Sequence, residues 1–207
     1  MILPGNANQL GAESAFTENL RRLNGYSKDT LAEWWLLPGM RFGESEKWWK
    51  PRSLRATPHE GLDLLFFRDR EGESQRLPVG TIIPPLLSGI VVGRCPDFLG
   101  ETIILAHDFY DQSGRRLHTF YAHLNTPQPP QISAPLSREL PIGEIASPGK
   151  DASPCPPHLH LSLAWVDKSI PLRDFSWERF SAAETFRPDD PLLLLKQGCE
   201  PGPHGNK

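Results

Sequence analysis

His59-Glu60-Gly61-Leu62-Asp63 and, about a hundred residues further on, His158-Leu159-His160 decide how this chain is read. Both segments read as extended strand, in which side chains at i, i+2 and i+4 share one face. His59 and Asp63 then point the same way, with Gly61, which carries no side chain, between them. His158 and His160 likewise share a face. Two imidazoles and a carboxylate brought together make a three-ligand zinc site whose fourth position stays open to water. That is the pattern of a catalytic metal rather than a structural one.

Working outward, the rest of the chain reads as short strands joined by irregular loops. A length of 207 residues suffices for one domain with a real core and some decoration. The 22 prolines are about twice the usual share. They fall in breaks such as Pro84-Pro85, Pro127 to Pro130 and Pro154 to Pro157, which argues against a helical bundle. Expected strands are Gly61–Phe67, Gly89–Arg94, Thr102–His107, Leu117–Leu124, Gly143–Ala146 and His158–Trp165. Asp111-Gln112-Ser113-Gly114 reads as a hairpin turn between two of them. The fold class is therefore mainly β: an antiparallel core of two packed or partly rolled sheets around an open groove.

Three parts are expected along the chain: a helical, Trp-rich extension over 1–54, the β core over 55–167, and an appendage over 168–207 ending in a disordered Gly/Pro tail from Gly198. Ser14 to Leu23 and Lys28 to Leu37 carry apolar residues at helical spacing, with Ser27 a candidate N-cap for the second. Trp34, Trp35, Trp48 and Trp49 admit two readings, a sugar-stacking surface or, more plainly, packing of the extension onto the core.

A net charge of −3 without a Lys/Arg stripe gives no footprint for nucleic acid. The longest aliphatic run, Leu192 to Leu195, is far too short to span a bilayer. Met1 to Thr17 has neither a basic n-region nor an apolar h-region, so no secretory signal is visible and the sequence alone reads as cytoplasmic. Cys95, Cys155 and Cys199, without a CxxC, suggest neither a disulfide framework nor a cysteine-based zinc cluster.

The order of motifs narrows the reading further. His59-x3-Asp63 is followed by a Gly-rich strand pair, then Tyr121-Ala122-His123-Leu124, then His158-Leu159-His160. Gly80-Thr81, Ser88-Gly89-Ile90-Val91, Ile103-Ile104-Leu105-Ala106-His107 and Pro141-Ile142-Gly143-Glu144-Ile145-Ala146 fill the intervals. Over residues 55–167 this pattern resembles the LytM/lysostaphin-type zinc metalloendopeptidases, which cut peptide cross-bridges and stem peptides of bacterial cell walls. The resemblance implies one zinc per chain held by His59, Asp63 and His160, with His158 and His123 as the non-ligand catalytic histidines. His158 is the preferred base, and His123 the oxyanion partner or proton donor. It also implies a peptide or peptidoglycan substrate and action in the periplasm or wall, against the missing export signal.

Departures from the family pattern accompany the likeness. Ser153-Pro154-Cys155-Pro156-Pro157 replaces the usual Gly/Ser-rich run, Leu161 and Ser162 stand where phenylalanine and glutamate commonly follow the HxH pair, and Glu101 follows Gly100 where asparagine is frequent. Two rival functions stay open: a non-catalytic module that binds wall peptides or regulates a hydrolase, and a cytoplasmic peptidase on a non-wall substrate. His107, His118 and His204 are read as ordinary hydrogen-bonded or surface histidines. Strand parity is taken to place His118 opposite His123, and to turn Glu60 away from the metal. Cys155, three residues before His158, is read as an incidental loop thiol.

Overall fold

The computed structural model describes residues 16–147, 154–171, 175–182, 186–195 and 199–201. Helix α1 (Phe16–Asn24) opens the described chain and buries Phe16 and Leu20. It ends where Gly25 takes a left-handed φ of 68°, a conformation that glycine adopts without a Cβ clash. Strands follow: β1 (Glu33–Leu36), β2 (Leu62–Leu64), β3 (Phe66–Arg68), β4 (Ser74–Arg76), β5 (Ile82–Ile83), β6 (Gly89–Pro96), β7 (Glu101–Tyr110), β8 (Arg116–Asn125), β9 (Pro135–Leu136), β10 (Gly143–Ile145) and β11 (Leu159–Val166). Short helix α2 (Trp177–Ala182), β12 (Phe186–Asp189), a 3-10 turn (Pro191–Leu193) and β13 (Cys199–Pro201) complete it. The chain is mainly β, as its proline density and alternating segments predict.

A nine-stranded sheet runs in the order β12-β11-β8-β7-β6-β9. Strand β2 shares one edge of β11 with β12, and β10 joins β8 to β5. Every pairing in it is antiparallel. A four-stranded sheet, β13-β1-β3-β4, lies beside it. Leu159, Leu161, Leu163 and Trp165 of β11 join Leu62, Leu64, Leu117 and Tyr121 in the larger core. The opposite face packs Phe120, Ala164 and Val166 against Phe175, Phe180 and Phe186. Strand β11 is buried on both faces, which makes it a stiff base for whatever it carries.

Each of the six expected strands has a counterpart, although Gly61–Phe67 splits into β2 and β3 at Leu65. The turn at Asp111 is also where it was expected. The Asp111 carboxylate accepts from the backbone N–H groups of Ser113 and Arg115, and Gly114 supplies the left-handed residue.

Two expectations fail. Lys28 to Leu37 does not form a second helix: Ser27 caps a single turn, accepting from the Thr30 N–H, and the chain then enters β1. Its alternation of part-buried Glu33 and Trp35 with buried Trp34 and Leu36 suits a strand, and the free edge of β3 supplies its partner. The tail from Gly198 is not wholly irregular either, because Cys199–Pro201 pairs in parallel with Trp34–Leu36. Backbone groups of β1 facing outward need partners, and a sequence pattern that is polar and proline-rich gives no sign of that need.

His107 and His118 are both tied into the fold by backbone carbonyls. His107 donates from Nδ1 to the Ser88 carbonyl at 2.9 Å and meets Thr119 Oγ1 through Nε2 at 2.8 Å, while His118 donates to the Arg116 carbonyl at 2.9 Å. Burial pushes each imidazole down to about 4. An unfolded histidine titrates near 6.5, so below that pH the unfolded chain takes up protons that the folded chain refuses. Stability contributed by neutral burial is thus complete above about 6.5 and is lost as pH falls toward about 4, on the order of 3 kcal/mol per histidine. Urea unfolding between pH 7 and 4 measures this directly. A His107→Gln variant is expected to show a shallower decline than the parent, and an identical decline would remove His107 from the account.

Candidate metal centre

The ladder itself brings the first ligand pair together. Asp63 of β2 lies directly opposite His160 of β11, and His160 in turn lies opposite Ala122 of β8. Leu62 and Leu64 are drawn into the core, which throws Asp63 onto the other face with His160. His59 arrives differently. Strand pairing starts only at Leu62, so His59 sits on an irregular approach, held by backbone hydrogen bonds from its N–H to the Glu44 carbonyl and from Gly43 N–H to its own carbonyl. Gly61 lets this approach run close to β11: a Cβ there would lie 2.6 Å from the Leu161 carbonyl oxygen and 2.5 Å from Ser162 Oγ.

The resulting cluster is tight. Asp63 Oδ1 lies 2.8 Å from His160 Nδ1 and 3.2 Å from His59 Nε2, and the two imidazole nitrogens are 3.2 Å apart. All three residues are buried. Each imidazole turns its remaining nitrogen outward to an oxygen: His59 Nδ1 to the Arg41 carbonyl at 3.1 Å, and His160 Nε2 to Ser162 Oγ at 2.9 Å. Such outer partners fix ring orientation and leave the inner lone pair exposed to the cluster. A tetrahedral ion with bonds of about 2.0–2.1 Å places its donor atoms roughly 3.3 Å apart. The observed spacing and donor set therefore fit a metal ion, and His59, Asp63 and His160 could hold one.

The other oxygen of Asp63 is fully committed. Oδ2 accepts from Trp48 Nε1 at 2.6 Å and from Arg55 Nη2 at 3.2 Å. Arg55 is itself pinned, donating to the Gly39 and Glu46 carbonyls and lying 5.0 Å over the Trp49 ring. Burial alone would favour the neutral acid. The surrounding His59, His158 and His160 instead hold the Asp63 carboxyl well below the usual carboxylate range.

His158 sits just before β11. Its Nδ1 donates to the Pro156 carbonyl at 2.7 Å and its Nε2 comes within 3.2 Å of Asp63 Oδ1. Burial opposes its charged form, yet the neighbouring Asp63 carboxylate raises it to about 10. His123 lies on the same side, its ring centroid 4.8 Å from that of His158 and 5.9 Å from that of His160. Its Nδ1 meets Asp97 Oδ1 at 2.9 Å. All five residues singled out in the sequence thus line one cleft of about 470 Å³, whose rim and walls also include Trp49, Phe98 and Trp177.

Strand parity alone does not decide the places of His118 and His123. Ala122, not His123, shares the face of His160, so regular alternation would place His118 on the His160 face and His123 on the other. A bulge reverses this. The β7–β8 register shifts between Glu101 and Ile103, leaving Ala122 and His123 opposite Thr102 alone, and His123 takes a left-handed φ of 67°. The kink swings His123 into the cleft. His118 remains four residues down the strand opposite Ala164, outside the cleft.

Glu60 stands outside the candidate ligand cluster. It lines the cleft and brings Oε1 to 3.9 Å from His160 Nε2, the outer nitrogen rather than the inner one. Ser162, a departure from the family pattern, is the residue that accepts from that same nitrogen. Cys155 is buried beside His158, Sγ 3.9 Å from Nδ1. Residues 148–153, including Ser153 of the proline-rich run, and His204 lie outside the described residues. Of the tryptophans, Trp34 is core, Trp35 lies against Phe66 and Arg68, and Trp48 and Trp49 reach the site. Sequence reasoning missed Arg55, Asp97 and Trp177, and it missed the hydrogen bond of Trp48 to Asp63.

No protein-family model and no curated protein matches the chain. Solved structures do. The chain is similar to the solution structure of lysostaphin, at 18% identity and a TM-score of 0.47, covering 95% of this chain and 62% of that one. The chain therefore spans less than two thirds of that structure. It is similar to a mutant catalytic domain of the prophage-encoded M23 protein EnpA from Enterococcus faecalis, at 21% identity and a TM-score of 0.38, covering 60% of this chain and 78% of that one. It is also similar to CbpA from L. salivarius REN, at 16% identity and a TM-score of 0.49, covering 79% and 88%.

Gly61 offers a direct test of the close approach that assembles the cluster. A Gly61→Ala methyl collides with backbone at Leu161 as well as with the Ser162 side chain, so the strands must part. The expected cost is about 1–3 kcal/mol in denaturant unfolding, with weaker divalent-metal binding in chelator competition. A variant with the parent's unfolding midpoint and metal affinity would contradict the geometry.

Proposed function

We propose that this protein is a zinc-dependent endopeptidase, and that peptide segments of bacterial peptidoglycan are its substrate. The observation that supports it best is the buried His59–Asp63–His160 cluster with two further histidines in the same cleft. The resemblance of residues 55–167 to the LytM/lysostaphin-type enzymes is the ground for the substrate class and for a preference for small residues around the scissile bond. A wall substrate places the work of the protein in the periplasm or wall.

His59 through Nε2, Asp63 through Oδ1 and His160 through Nδ1 would hold one zinc. Bound there, zinc supplies a Lewis acid and lowers the pKa of a coordinated water toward about 7. The remaining steps belong to the side chains. His158 has its Nδ1 tied to the Pro156 carbonyl and its Nε2 facing the cluster. With zinc on Asp63 Oδ1, the carboxylate charge that keeps Nε2 protonated is offset, and Nε2 can then take the proton of the attacking water. His123, fixed through Nδ1 by Asp97, presents Nε2 to the developing oxyanion or the departing amine, and serves either once Nε2 has taken up a proton. Trp48 and Arg55 hold Asp63 by one oxygen so that it offers the other as a single ligand atom. Trp49, Phe98 and Trp177 give the cleft apolar surfaces on which a peptide backbone can lie, with Lys47 at its edge.

Zinc content and hydrolysis of wall peptides, measured together on three proteins, test this reading. The parent is expected to carry near one zinc per chain and to cleave. His160→Ala is expected to lose metal and activity together. His158→Ala is expected to keep most of its zinc while turnover falls by about 10²- to 10⁴-fold. Cleavage by His158→Ala at the parent rate would overturn its assignment as base. A parent that binds no zinc even after supplementation would favour the non-catalytic peptide-binding module.

A further inference from the structure

Asp97 is a second densely hydrogen-bonded carboxylate of the cleft. Its side chain is 1% exposed and accepts five hydrogen bonds. Oδ2 takes the backbone N–H of His123 and the Thr102 hydroxyl, both at 2.9 Å. Oδ1 takes the N–H groups of Leu99 and Gly100 at 3.0 and 2.9 Å, and the His123 ring at Nδ1 at 2.9 Å. Burial opposes ionisation, yet the donors of His123 hold this carboxyl well below the usual range.

These contacts grip His123 twice, by its main chain at the bulge and by its ring. The first contact holds the left-handed turn that brings the residue into the cleft. The second settles the tautomer. An ionised carboxylate only accepts, so Nδ1 must carry the proton and Nε2 is the nitrogen left for the cleft. The exposed Phe98 ring stands edge-on to His123 at 4.6 Å and blocks rotation on that side. Trp177 of α2 extends the chain of contacts, donating to Thr102 Oγ1 at 3.1 Å.

We propose that Asp97 is a positioning residue for His123: it fixes the bulge, aims the ring and keeps the proton on Nδ1, so that Nε2 exchanges protons with substrate. This rests on the peptidase reading for its kinetic consequence but not for its geometric one. An asparagine at 97 cannot reproduce the arrangement. Both carboxylate oxygens face N–H donors, so an amide NH2 must meet one of these sets donor to donor, and the set containing Nδ1 would favour the opposite tautomer.

Two measurements on the zinc-loaded protein test it. Long-range proton–nitrogen NMR of the histidine rings, with His123 assigned by its disappearance in His123→Ala, is expected to show the proton on Nδ1 in the parent and a shifted tautomer balance in Asp97→Asn. A parent ring protonated on Nε2 alone, or a balance unchanged in the variant, would overturn the proposal. This readout does not need peptide cleavage, so a parent that hydrolyses nothing sinks the peptidase reading and leaves the tautomer to decide this one. Where the parent cleaves, Asp97→Asn is expected to lower kcat about 100-fold with little change in KM or zinc content. In a His123→Ala background the same change should cost no more than about twofold. An equal loss in both backgrounds would mean that Asp97 merely supports the Asp97–Gly100 loop.

Discussion

The buried negative charge of Asp63 is the constraint around which the rest is arranged. A carboxylate withdrawn from water is costly unless it is both hydrogen-bonded and neutralised. Its two oxygens meet that demand in different ways. Oδ2 is satisfied permanently by the indole of Trp48 and the guanidinium of Arg55. Oδ1 faces three imidazoles, from His59, His158 and His160. The division leaves one oxygen free to act as a ligand and prevents the carboxylate from turning. It also explains why the segment from Gly39 to Arg55 wraps so closely: Met40 caps the Asp63 N–H, and Arg55 ties back to the Gly39 and Glu46 carbonyls.

Much of this was legible because strand alternation is a short-range property. Leu62 and Leu64 on one face force Asp63 to the other, and Leu159 and Leu161 do the same for His160, so the pairing of β2 with β11 brings two of the three candidate ligands together. Gly61 between them was equally readable, since close approach of two backbones excludes a side chain. The hairpin turn at Asp111 belongs to the same class of local chemistry. Trp34 and Leu36 mark the opposite case. Their spacing served a helix and a strand alike, and only the open edge of β3 chose between them.

The illegible part depends on partners distant in the chain or on broken periodicity. Arg55 and Trp48 look like ordinary members of a polar, aromatic loop until the fold sets them on Asp63. Asp97 looks like a turn residue, and in part it is one, since it caps the N–H groups of Leu99 and Gly100. Nothing in Tyr121-Ala122-His123-Leu124 announces a bulge, because the run is compatible with regular alternation. Parity therefore excluded His118 for a reason that does not hold, although His118 does lie outside the cleft.

That bulge couples fold to site in a way that a straight strand could not. On a regular β8 the side chain opposite His160 is Ala122, which carries no polar group, and the next imidazole faces the core of Leu and Tyr side chains. One left-handed residue moves an imidazole from the core side into the cleft without altering the register of Phe120 or Thr119 below it. A left-handed histidine is strained relative to glycine, by about 1 kcal/mol or more. The Asp97 bonds to its main-chain N–H and ring offset that cost and hold the turn in place. Glycine at 123 would relax the backbone and lose the imidazole. The strain is retained because the position must supply a left-handed turn and a titratable ring at once, and Asp97 is what lets one residue do both.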